Sequence, residues 1–266
     1  MNNDKNRQEN KKAIKKFIPI VIISAIVGGV IGACASSEGI VDSLRMVSIV
    51  IENVLFVSMP LIIIINCVAG FAATIYIYRN SCKNYQSNLP ADKGEDMEEA
   101  VFNEIDHKLS IGMMILAICL IMNFVIFGAM VSNLARYAAT YGILMFVSFI
   151  IFVITNFGLA KMQQIYVDFV KIMYPEKQGS VYDPKFNEKW EESCDELEKL
   201  IIYKASYKAY KTNTFACCIA MVAMILLSLF FSFGPLPAMV VGAIWMATTV
   251  SYSLEAMKLE KEKINM

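Results

Sequence analysis

The chain has 266 residues, 24 Lys and Arg balancing 24 Asp and Glu, a single histidine, and a mean hydropathy of +0.52. Hydrophobic residues make up 57% and charged residues 18%, against roughly 45–50% and about 25% in soluble domains. These values exclude a disordered chain, a collagen and a secreted disulfide scaffold, and they disfavour an ordinary soluble enzyme. The even charge balance leaves no electrostatic footprint for nucleic acid, which is not expected as a partner.

In chain order, six stretches lack Asp, Glu, Lys, Arg and His and are long enough to cross a bilayer: 17–35, 53–78, 109–131, 138–160, 213–233 and 234–254. Inside hydrocarbon each must satisfy its own backbone, so each is expected to be an α-helix. The fold class is therefore all-α, a polytopic membrane protein with six transmembrane helices in three hairpins and cytoplasmic amphipathic extensions. Residues 40–52 read as an outer extension of the second helix, and Pro60 predicts a kink inside it. Of the 24 basic residues, all but Arg45 and Arg136 fall before residue 17, in 79–108, in 161–211 or from Lys258 onward. The positive-inside rule places those four segments, and both termini, in the cytoplasm. A turn at 132–137 and a corner at 233–237 are then the short outer connections.

The first helix ends in Ile31-Gly32-Ala33-Cys34, which mimics a lipoprotein cleavage site. Its 19-residue apolar run exceeds the 7–15 of a signal core, so an uncleaved membrane helix is expected. Ser24, Gly28 and Gly32 recur every fourth residue, as do Ala138 with Gly142 and Ala238 with Gly242. Small residues at that spacing let helix backbones approach closely.

The seven cysteines are expected to carry no disulfide, because only Cys34 nears the oxidising face. Cys217-Cys218 reads either as a palmitoylation site or as small apolar filler. No zinc spacing, His-Glu-x-x-His motif or phosphate loop occurs, so no metal, no cofactor and no enzymatic activity are expected. No ionisable residue lies well inside any span. Asn66, Asn123 and Asn156 are the strongest polar groups there, read either as interhelical hydrogen bonds or as the lining of a polar path.

Beyond the fourth span, Met162, Ile165, Tyr166, Phe169 and Met173 continue a helical stripe into the cytosol. A turn at 174–182 ends it. Asp183 as N-cap and Pro184 as first helical residue then predict a helix running unbroken into the fifth span. Phe186, Trp190, Cys194, Leu197 and Ile201 form its apolar face. A shorter stripe of Met97, Val101 and Ile105 precedes the third span. The stripes either pack on each other as a helical cap within a 161–212 cytoplasmic module, or the face of Phe186, Trp190, Leu197 and Ile201 docks a protein partner or lies on the bilayer. Oligomeric state is left open.

The stretch YPEKQGSVYDPKFNEKWEESCDELEKLIIYKASYKAYKTN, residues 174–213, resembles the signature region of a family of Gram-positive bacterial membrane proteins, domain of unknown function family 3169. The glycine-rich first helix and the "SYSLEAMKLE" segment at 251–260 are similar to it as well. The resemblance implies a multi-span bacterial membrane protein and brings no catalytic residues with it. The leading functional expectation is a non-enzymatic accessory, sensory or self-protection protein acting through cytoplasmic helices. The alternative is a small permease or channel using the three asparagines.

Overall fold

The structure is a computed structural model that describes residues 38–88, 95–132, 134–231 and 234–264, with scattered positions between 15 and 30. The predicted first span, its small-residue stripe and Cys34 fall largely or wholly outside the described residues; the described positions between 15 and 30 are helical. Six further helices follow: α1 (Glu38–Asn88), α2 (Glu95–Ser132), α3 (Leu134–Met173), α4 (Phe186–Glu192), α5 (Glu196–Phe231) and α6 (Leu236–Ile264). Among the described residues there is no strand. Among the described residues, five segments are long and apolar enough to cross a membrane: Phe56–Asn88, Ala100–Ser132, Thr140–Met173, Glu196–Phe231 and Leu236–Leu259. The protein is thus all-helical, with helices suited to contact with a lipid bilayer.

Residues 40–52 do belong to the second predicted helix, and Pro60 lies within the 51 residues of α1. The turn between α2 and α3 is shorter than the predicted 132–137. Helix α3 already begins at Leu134, and helical dihedrals break instead at Tyr141, where φ is −124° and ψ is 22°. At about 1.5 Å per residue, the 38 residues of α2 reach about 57 Å, far beyond a hydrocarbon thickness of about 30 Å. The polar end of α2, with Glu104, Asp106, His107 and Lys108, therefore projects past its apolar run.

The chain divides into two compact units, a middle unit Glu52–Leu200 and a terminal unit made of Met1–Ile51 with Ile201–Met266. In the middle unit, the predicted α3 stripe from Met162 to Met173 is core. Met162, Tyr166, Phe169 and Met173 are buried with Ile105, Leu109, Leu116 and Cys119 of α2 and Cys67 of α1. Aromatic rings continue this core toward the polar end, where Tyr78 and Tyr85 of α1, Phe102 of α2 and Phe169 and Tyr174 lie 5.6–6.0 Å apart. Tyr166 also donates to the Thr74 carbonyl at 2.6 Å, tying α3 to α1. A smaller cluster of Phe56, Met130 and Met145 closes the other end, beside the stacked rings of Phe127 and Phe152 at 4.2 Å.

Two glycines outside the predicted small-residue stripes face aromatic rings. A Cβ on Gly112 would overlap the Tyr166 ring, and one on Gly158 would come within 2.9 Å of Phe71. Gly142, by contrast, has nothing within 4 Å. In the terminal unit, α5 and α6 meet through Tyr210 stacked on Tyr252 at 4.3 Å and through Met221 against Gly242.

Candidate functional site

A cleft of about 460 Å³ lies at the polar end of the middle unit. Helix α2 contributes Asp106, Leu109, Ser110 and Met113; α3 and its end contribute Tyr166, Val167, Val170 and Tyr174. Lys177, Phe186, Trp190 and Glu198 complete it. The wall is largely apolar because it continues the α2–α3 core, and the charges enter where the helices outrun their apolar stretches.

The segment that closes the cleft is held by side chains of α3. Gln164 Oε1 accepts the Ser180 hydroxyl at 2.9 Å and the Val181 N–H at 2.8 Å, and the Lys171 ammonium donates to the Gly179 carbonyl. Gly179 sits at φ +120° with the Phe186 ring against it, a position where a Cβ would be strained and would come within 2.8 Å of that ring. The predicted helix start is corrected here. Asp183 accepts the Lys185 N–H at 2.9 Å in a turn, α4 begins only at Phe186, and Lys185 in the cap position makes no side-chain cap bond. Pro184 is therefore not the first helical residue.

The expected unbroken helix into the fifth span is also interrupted. The Ser193 hydroxyl and the Cys194 thiol both donate to the Trp190 carbonyl, at 2.7 and 3.2 Å, taking up an acceptor that a continuing helix would use. A new helix then starts with a reciprocal cap. Asp195 Oδ1 accepts the Glu198 N–H at 2.7 Å, and Glu198 Oε2 accepts the Asp195 N–H at 3.1 Å. The break separates the predicted interaction face. Phe186 and Trp190 stay together, rings 5.5 Å apart, and line the cleft, whereas Leu197 and Ile201 are 66% and 59% exposed on α5.

The same cap delivers a carboxylate to the cleft. Glu198 forms an ion pair with Lys177, whose side chain is only 4% exposed, against 41% for Glu198. Burial alone pulls the Lys177 ammonium down, but the Glu198 carboxylate outweighs it and the pKa ends above its usual value. Cys194 lies 3.5 Å from Lys177 Nζ; burial pushes its thiol up by more than the lysine lowers it, so it stays protonated. Also lining the cleft, Tyr174 donates to Asp106 Oδ2 at 2.6 Å. Burial raises the Asp106 carboxyl above the usual carboxylate range, and the Tyr174 hydrogen bond only partly offsets this. Asp106, Lys177 and Glu198 were not legible as a group, because folding alone brings three separate polar segments together. The Asp195-x-x-Glu198 cap was readable at that spacing, but the apolar stripe from Phe186 to Ile201 favoured one continuous helix.

The asparagines occupy two settings. Asn66 donates to Asn123 Oδ1 at 2.8 Å and to the Cys119 carbonyl at 3.0 Å, while Asn123 donates to Cys67 Sγ at 3.1 Å, so this pair bridges α1 and α2. Asn156 instead donates to the Phe152 carbonyl of its own helix at 2.7 Å, and its buried Oδ1 has no hydrogen-bond partner among the described residues. Also among the described residues, no group of three or more His, Cys, Asp or Glu side chains is placed to hold a metal ion.

The family described as "Protein of unknown function (DUF3169)" matches residues 11–256. The chain belongs to that family. No curated protein and no solved structure matches it. The matched range takes in all five membrane-compatible segments up to residue 256 and the whole cleft, so both are features of a DUF3169 chain rather than of an appended domain.

Proposed function

We propose that this DUF3169 protein is a multi-pass protein of a bacterial cell membrane that works as a non-enzymatic accessory, sensory or self-protection protein through its cytoplasmic end. In this reading six spans thread the bilayer in three hairpins, with both termini and the cleft in the cytoplasm. The distribution of Lys and Arg supports that threading. Single cysteines at Ser132 and Ser180 in a cysteine-free background test it in intact cells with an impermeant thiol reagent. Labelling at Ser132 alone is expected, and labelling at Ser180 alone reverses the orientation.

The observation that carries the functional reading is the cleft itself, in which Phe186 and Trp190 sit beside charges of both signs. Recognition sites combine apolar wall with a few placed polar groups in this way. The thiol nearest those charges, Cys194, is kept protonated by burial, which suits packing better than nucleophilic attack. The competing reading, a small permease or channel, draws on the unpartnered Oδ1 of Asn156. Affinity capture of the full chain in mild detergent, comparing Trp190→Ala with Asn156→Ala, separates the two. Loss of captured material and of cellular phenotype with Trp190→Ala, while cleavage in 174–195 by limited protease is unchanged, is the expected result. Loss of phenotype with Asn156→Ala alone moves the function into the membrane.

A further inference from the structure

The charges of the cleft do not balance. Lys177 and Glu198 neutralise each other by direct contact. Asp106 has no such partner: among the described residues its hydrogen bond comes from the neutral Tyr174 hydroxyl, and no Lys or Arg forms an ion pair with it. With Asp106 ionised, the cleft therefore holds one half-buried carboxylate in excess, against a wall that includes Met113, Phe186 and Trp190. Such a carboxylate is poorly solvated, and a bound cation relieves its desolvation. The Trp190 indole of the same cleft gives the rest of such a molecule an apolar surface. An anion meets the opposite conditions, because the one ammonium present is already committed to Glu198.

Resting on the reading that the cleft is the working surface, we infer that it binds a small organic cation, an ammonium carrying an apolar group. The ammonium sits at Asp106 and the apolar group lies against Trp190 and the α2–α3 wall. A volume of about 460 Å³ accommodates a molecule of this kind, at the lower end of the roughly 300–1,000 Å³ of small-molecule sites. Glu198 and Lys177, whose charges also act on Asp106 in opposite directions, stay paired with each other.

The chain has two tryptophans, so Trp245→Phe leaves Trp190 as the sole indole reporter. The full-length variant in a non-ionic maltoside detergent is titrated with benzyltrimethylammonium, benzyl alcohol and benzenesulfonate, three probes that share a ring and differ in charge. A saturable change in Trp190 emission is expected for the ammonium, with an affinity about tenfold or more above that of the alcohol from charge attraction alone, and no response to the sulfonate. Asp106→Asn, which retains an acceptor for Tyr174, should erase the advantage of the ammonium over the alcohol, and Asp106→Glu should restore it. Equal affinities for all three probes, or an unchanged preference in Asp106→Asn, overturn the cation site while leaving the cleft as a binding surface. No saturable response to any probe also overturns it, and the reading of the cleft as the working surface is then judged separately by the Trp190→Ala capture.

Discussion

The middle and terminal units are built from helices of similar apolarity but are held together differently. Within the middle unit's candidate spans, 28%, 22% and 17% of the apolar window is buried, against 6% and 0% in α5 and α6. The middle unit combines fully buried Tyr166, glycines at van der Waals contact, a Tyr166–Thr74 hydrogen bond and the Asn66–Asn123 bridge. Among the described residues of the terminal unit, α5 and α6 meet through Tyr252, stacked on Tyr210 and 6.2 Å from Tyr207, and through a flexible methionine against Gly242. Apolarity therefore says little about how tightly membrane helices associate. In lipid the hydrophobic effect gives no drive between helices, and shape and hydrogen bonding decide.

The sharpest way to break this comparison is to remove a tyrosine from each unit. Tyr166→Ala should cost about 3–5 kcal/mol, as for other large buried aromatics, and should expose Cys67 and Cys119 to thiol reagents while sparing Cys217. Tyr210→Ala should cost no more than about 0.5–1.5 kcal/mol, the scale of an aromatic pair. Equal losses in thermal unfolding would show that the terminal unit is packed as firmly as the middle one.

A second test sharpens the comparison at the cleft. Glu198→Gln leaves a buried ammonium unpaired and should cost roughly 2–3 kcal/mol, below the usual range for a broken buried pair because Glu198 is 41% exposed. Lys177→Met leaves only a partly solvated carboxylate and should cost less. Since the folded pKa of Lys177 is raised, the stabilisation from its charge is fully present below its ordinary value of 10.5 and is lost as pH rises through the folded value. Protease cleavage within 174–195 should therefore increase at strongly alkaline pH in the wild type and show no such step in Lys177→Met.

The smallest effects come from single methyl groups. Gly112→Ala should push the Tyr166 ring aside and destabilise by about 1–3 kcal/mol. Gly242→Ala meets only the mobile end of Met221 at 3.2 Å, and the better helix propensity of alanine should leave it neutral or slightly stabilised. Melting temperatures in detergent distinguish the two. A destabilised Gly242→Ala would mean that α5 and α6 depend on close backbone contact after all.

What the sequence by itself determined is what a bilayer imposes locally. The run 109–131 lies inside α2, and 213–231, the described part of the run 213–233, lies inside α5, because a chain segment surrounded by apolar medium has no other way to satisfy its backbone. Periodicity also identified the α3 stripe from Met162 to Met173, whose members are buried except for the partly exposed Ile165. The tertiary structure alone decided which glycines face rings, and how Asp106, Tyr174, Lys177 and Glu198 come to share one cleft. Each of these depends on a partner far along the chain: Tyr174 comes 68 positions after Asp106, and Glu198 comes 21 positions after Lys177. A pattern that repeats every few residues records which side of a helix is apolar. It carries no record of which other helix that side will meet.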